Sequence, residues 1–135
     1  MLGHRDSQAW ALDGMGRAET SRGRAEDGIR HHREALELFR AHGDRDGEAS
    51  SLNGLGEAHL AAGDKAAARV HHAEALLTAE RTGAAEQEAR AHRGLARAAA
   101  SVEDAHPHYD RAIAIYSELG LRTADLVAAE LAGLM

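Results

Sequence analysis

The chain contains no cysteine, which excludes a disulfide framework and any thiolate metal site. Aromatic residues make up only 3% of it, as Trp10, Phe39, Tyr109 and Tyr116. The apolar content is therefore mostly Ala and Leu, which bury less area per residue. At roughly 25 cal/mol per Å² of apolar surface, such a core predicts modest stability for the length. Proline occurs once, as Pro107, near the start of a late helical stretch, where a missing N–H costs little. Lysine also occurs once, as Lys65, and every other basic residue is Arg. No segment approaches the ~18–20 apolar residues of a membrane span. The N-terminus lacks the charged-then-apolar pattern of a signal peptide. These absences fit a reducing cytoplasm and give no reason to expect a membrane partner. The net charge is −6 with ten histidines counted neutral, and both signs are interspersed, which argues against a nucleic-acid-binding surface.

What is present is a repeat. Gly3, Gly43 and Gly83 are spaced by 40 and 40 residues, and Gly14, Gly54, Gly94 and Ala18, Ala58, Ala98 keep the same interval. Ala35, Ala75 and Ala112 are spaced by 40 and then 37. A period of this size signals stacked supersecondary units. Each unit holds two helical stretches. In the second unit, Leu52, Leu55, His59 and Leu60 recur at the spacing of an amphipathic helix, and Ala68, His72, Ala75, Leu76 and Ala79 form the stripe of its partner. Asp44 and Asp64 are placed to cap helix starts, while Gly63 and Gly83 are placed to end helices in a left-handed conformation.

The units read as 3–42, 43–82 and 83–119, with a half unit at 120–135, in one domain over 1–135. The predicted helices of the first unit are 7–21 and 25–42. Those of the third are 84–100 and 105–119, with a turn three residues shorter, and a last helix spans 121–134. No strand alternation and no Pro/Ser-rich linker appears. The expected fold is all-α: a right-handed α-solenoid of about three and a half helix-turn-helix repeats, seven helices in all. The junction text at Gly3-His4-Arg5-Asp6 reads as the tail of a preceding repeat, so the chain is expected to be a piece of a longer array. Leu2 and Trp10 at one end, and Leu131, Leu134 and Met135 at the other, are then core-facing surface without a cover, which favours a homodimer through an end.

The residues resemble the tetratricopeptide repeat. That signature asks for a bulky residue, Leu-Gly three and four positions later, an aromatic three beyond, and then Ala, an aromatic and Ala in the second helix. The second unit holds Leu52, Leu55-Gly56, His59, Ala68, His72 and Ala75 in those places. The first holds Leu12, Met15-Gly16, Glu19, Gly28, His32 and Ala35, and the third His92, Leu95-Ala96, Ala99, Ala105, Tyr109 and Ala112. The period exceeds the common ~34 residues, and the extra six lengthen the helices around the junctions. The text Ser51-Leu52-Asn53-Gly54-Leu55-Gly56-Glu57-Ala58 with Val70-His71-His72-Ala73-Glu74-Ala75-Leu76 also resembles the C-terminal repeats of actinomycete antibiotic-regulatory transcription factors. In those regulators DNA-binding and ATPase domains precede such an array, which serves sensing or protein contact.

Candidate chemistry is sparse. His31-His32, His71-His72 and the pair His106 and His108 suggest a metal, but neighbours in sequence sit ~100° apart on a helix, and no pair has the i, i+4 spacing of two ligands on one face. Equivalent histidines of successive units fall a helix-packing step apart, ~8–10 Å, against metal bonds of ~2 Å. Gly14-Met15-Gly16 and Gly54-Leu55-Gly56 follow no strand and lack the third glycine of a dinucleotide fingerprint. Asp44-Arg45-Asp46-Gly47 would place Leu55 where a calcium loop needs Glu. No Ser/His/Asp order, metalloprotease helix or phosphate loop is present. The expectation is a protein without catalysis and without a cofactor or metal.

What remains is the concave face that the family resemblance implies. It maps to Trp10, Asp13, Arg17 and Thr20, to Ser50, Asn53, Glu57 and Leu60, and to Arg90, Arg93 and Arg97. The three arginines share one helical face by spacing alone. They could grip an acidic peptide or a phosphate through bidentate hydrogen bonds, or form a solvated face balanced by Glu57 and Glu86. The functional expectation is a protein- or peptide-binding module of a larger bacterial regulator. The alternatives are a repeat domain that senses a peptide or small molecule, and a self-associating scaffold.

Overall fold

A computed structural model describes residues 2–134, with side chains for residues 6–134. Among them it contains seven helices and no strand. They are α1 (Leu2–Ser21), α2 (Ala25–His42), α3 (Arg45–Ala61), α4 (Lys65–Thr82), α5 (Ala85–Arg97), α6 (Val102–Glu118) and α7 (Thr123–Ala132).

Local chemistry accounts for most of the boundaries. Asp44 caps α3 by accepting from the Gly47 N–H at 2.9 Å, and Asp64 caps α4 by accepting from Ala67 at 3.0 Å. Each leaves one fewer orphan donor in the first turn. Gly43 and Gly83 end α2 and α4 at φ of 68° and 71°, a left-handed conformation that costs glycine nothing.

Several expected boundaries move, the last helix shrinking from 121–134 to Thr123–Ala132. The segment Gly3-His4-Arg5-Asp6 is helical and belongs to α1. α5 stops at Arg97 and α6 begins at Val102, so the third unit is shortened in its first helix and not in its turn. The cause of the second start is Ser101, whose hydroxyl accepts from the Asp104 N–H at 3.1 Å. That places Pro107 inside α6, beyond the first turn, where the Glu103 carbonyl loses its i+4 donor. Glu103 itself is exposed.

Each helix packs antiparallel on the next to form a helical-repeat solenoid. The first helices of successive units also meet directly, α1 on α3 and α3 on α5, whereas the second helices do so far less. The first helices therefore form the inner, concave layer. The apolar core follows the same order. Ala9, Ala35 and Phe39 pack within the first unit, Ile29 and Leu36 of α2 pack with Leu52, Leu55 and Ala75 of the second, and Ala89, Tyr109, Ile115 and Tyr116 of the third pack with Val127 of α7.

α3 departs from the amphipathic pattern expected of it. Every residue from Gly47 to Gly56 is buried, because α1, α2, α4 and α5 all lie against it. Small residues on all its faces are what allow four neighbours.

Candidate functional site

The inner layer carries most of the polar residues expected to meet a partner. Asp13, Asn53, Arg93 and Glu130 occupy one column, a position each in α1, α3, α5 and α7. Beneath the first two lie His32 and His72 from α2 and α4. The Nδ1 of His32 is 2.7 Å from Asp13 Oδ1. His72 Nδ1 is 2.8 Å from the Asn53 side-chain oxygen, which can only accept, so His72 carries its proton on Nδ1. Asn53 in turn donates to the Gln87 carbonyl at 3.0 Å, tying α3 to α5.

Glycine makes room for these rings. A Cβ at Gly16 or Gly54 would lie 2.7 or 2.3 Å from the His32 ring, and one at Gly56 or Gly94 would lie 2.4 or 2.2 Å from His72. Each imidazole is thus a flat plug between two inner helices. Gly14, although in the column of Gly54 and Gly94, meets nothing within 4 Å. Replacing Gly94 with Val is expected to cost about 1–3 kcal/mol or more through overpacking, read as a lower denaturant midpoint. An unchanged midpoint would mean that the slot is not tight.

Ionic contacts complete the layer. Arg90 grips Glu57 with two bonds, of 2.6 and 2.8 Å. Burial by itself would push the Glu57 carboxyl up, but the Arg90 charge and hydrogen bonds outweigh it and hold the group below its ordinary range. Ser50 donates to Asp13 Oδ2 at 2.7 Å and Ser51 to Oδ1 at 3.1 Å. Burial also disfavours the Asp13 carboxylate, yet the bonds from His32 and Ser50 prevail, and its pKa is lowered. Arg93 pairs closely with Glu130 of α7, and Arg97 reaches the same carboxylate at 3.0 Å.

Asp13, His32, Ser50 and Ser51 superficially gather the groups of a hydrolytic triad. A triad needs the hydroxyl on the second ring nitrogen, where a base can take its proton. Here both hydroxyls donate to the carboxylate, and all four residues are at most 1% exposed. The cluster is a structural bond between helices.

The expected partner-facing residues therefore divide. Asp13, Ser50 and Asn53 are withdrawn from the surface, because the inner helices use them to bind one another. Arg90 is largely buried on Glu57, with its side chain 14% exposed. The balancing acid for Arg93 and Arg97 is Glu130, in place of the anticipated Glu86. Trp10 stands edge-on to Phe39 at 4.9 Å and remains partly exposed. Arg17 is open to solvent, with 58% of its side chain exposed, and Arg97 retains 44%. Sequence reasoning missed His32, Ser51, Gln87 and Glu130 as members of the network.

The other histidines form pairs between helices. His59 and His71 stack at 5.1 Å, and the Nδ1 atoms of His92 and His108 are 3.0 Å apart. Among the described residues, no group of three or more His, Asp or Glu side chains could hold a metal ion.

The open part of the inner face is a trough near the ends of α1, α3 and α5. Arg17, Thr20, His32, Glu57, Leu60 and Arg97 line a cavity of about 310 Å³ there. A stack of antiparallel helix pairs whose first helices line such a trough defines a helical-repeat interaction scaffold. The sequence model of the tetratricopeptide repeat matches residues 7–81, more than half of the chain, and the protein belongs to that family. Such repeats generally mediate protein–protein interactions and are typically non-catalytic. No curated protein matches the chain. Among the described residues no helix is long and apolar enough to cross a membrane.

Proposed function

We propose that this protein is a non-catalytic interaction module that takes an acidic segment of a protein, or a neighbouring domain of its own parent, into the trough between Arg17 and Arg97. The observation that carries the reading is a local excess of positive charge in an acidic chain. Net charge is −6 overall, yet around the trough Arg17, Arg90, Arg93 and Arg97 share three carboxylates, Asp13, Glu57 and Glu130, and Arg17 and Arg97 stay about half exposed. The same reading places the module in the cytoplasm, within a larger bacterial transcriptional regulator, on the strength of the sequence resemblance; it contacts no nucleic acid or membrane itself.

Oligo-glutamate peptides test it. Ligand binding to the folded state raises stability by mass action, so they should raise the thermal midpoint of the wild type and not that of an Arg17→Glu/Arg97→Glu variant. No shift in either protein removes the reading. A small-molecule or peptide sensor would show the same stabilisation together with a change in superhelix pitch, measurable by small-angle scattering.

One further surface favours self-association. α7 leaves Leu126 63% exposed, and a second copy is the proposed cover. Sedimentation at high concentration should give twice the chain mass, and a monomer mass would end that proposal. The Leu2 side chain and Met135, also expected at the uncovered ends, lie outside the described residues.

A further inference from the structure

α5 is one turn shorter than its counterpart. α3 has 17 residues and α5 has 13, and four residues at about 1.5 Å each remove about 6 Å of helix. α6 nevertheless packs along α5 as α4 packs along α3. The missing turn leaves a notch of about 570 Å³ at the end of the inner layer. Its floor is Ala96, Ala105 and Tyr109, each 4% exposed, and its rim includes Val102 and Leu134, which stay 45% and 40% exposed. The truncated helix end is not left raw: Arg69 of α4 donates to the Ala98 carbonyl at 2.7 Å. This contact satisfies one of the carbonyls that a helix end leaves without a donor.

The charged residues that line the notch are Lys65 and Arg97, and the carboxylate that meets Arg97, Glu130, is shared with Arg93. Leu60 and Arg97 also line the trough cavity beside Arg17, so the two spaces adjoin. A volume of this size lies within the range of about 300–1,000 Å³ typical of ligand pockets. An extended chain following the trough would run over the notch with its acidic groups near Arg17, Arg97 and Lys65.

We propose that the notch is an anchor pocket for one large apolar side chain of the acidic partner segment. The anchor supplies apolar burial, and carboxylates beside it meet Lys65 and Arg97. The shortened third unit is then the determinant of specificity, since a full-length α5 would fill the same space. The proposal rests on the protein-binding reading of the trough.

Panning a random-peptide display library on the intact chain tests both ideas separately. Recovered peptides should be acidic with a single Leu, Phe or Trp. Replacing that residue by Ala should weaken binding about ten- to hundredfold, as expected for losing one buried apolar side chain. Ala100→Trp, at an exposed bend on the rim, should plug the notch and cause a similar loss, and the two losses should not add. Val102→Asp, which sets a negative charge on the same rim, is the second variant should the first fail to fold. Peptides that bind both variants as tightly as the wild type would overturn the anchor pocket while leaving the trough in place. Recovery of no peptide would overturn both.

Discussion

A shift from pH 7 to pH 5 is expected to weaken the fold by about 2 kcal/mol through His72 alone. Burial, the largest cause, pushes His72 down to about 4, and the charges of Arg90, His71 and Arg97 act in the same direction. Only Glu57 opposes them, and its charge is already matched by Arg90. In the unfolded chain the same imidazole takes up its proton near pH 6.5. Between those two values the unfolded state binds more protons than the folded state, so stability falls as the pH falls. The full loss, about 3 kcal/mol, is reached below pH 4. His92 is also lowered to about 4, by burial and then by His108 and Arg111. It adds to the loss in the same window.

Against a domain stability of about 5–15 kcal/mol this is a large fraction. Denaturant unfolding followed by helical circular dichroism at several pH values reads it directly. His72→Gln should be less stable at neutral pH yet show a flatter profile between pH 6.5 and 4. A steep profile in that variant would place the acid sensitivity elsewhere. Asp13 and Glu57 do not offset the effect. Their lowered pKa values give stability that is present above the unfolded carboxyl value and lost only as the pH falls further.

The helix order could be read from the chain because its signals are local. Asp44, Asp64, Gly43 and Gly83 each act within a few residues, and the Ala68, His72, Ala75 stripe needs only helical geometry. The end of α5 was illegible for the opposite reason. Ala98-Ala99-Ala100 favours helix by propensity, and what accepts its early stop is Arg69, 29 residues away in α4.

The candidate site failed in a related manner. Spacing puts Asp13, Asn53 and Arg93 in one column, but it cannot tell a groove-lining position from one sealed by the next unit. The deciding partners lie far along the chain: His32 is 19 residues from Asp13, Gln87 is 34 from Asn53, and Glu130 is 37 from Arg93. The glycines on either side of each histidine were the available clue. Read as general spacers for helix approach, Gly54 and Gly94 are in fact slots shaped to one ring.

Replacing Asp13 with Ala should destabilise the protein by about 3–5 kcal/mol, since leaving a buried polar group without its partner costs about 1–3 kcal/mol and several are left at once. His32, Ser50 and Ser51 would all lose their acceptor at once, in a place with no access to water. Asp13→Asn should cost only about 1 kcal/mol, the net worth of an ordinary hydrogen bond. The second unit shows why. There an asparagine already does this work, with Asn53 accepting from His72 in the same geometry. The new amide would accept from His32 through its oxygen, and Ser50 could turn its hydroxyl to accept from the nitrogen. The Asn variant should also lose the acid-induced destabilisation below about pH 4 that the lowered Asp13 pKa creates, because it has no carboxylate to protonate. Equal costs for Ala and Asn in denaturant unfolding would show that Asp13 holds α1 to α3 by packing alone, and that the hydrogen bonds between the inner helices contribute little.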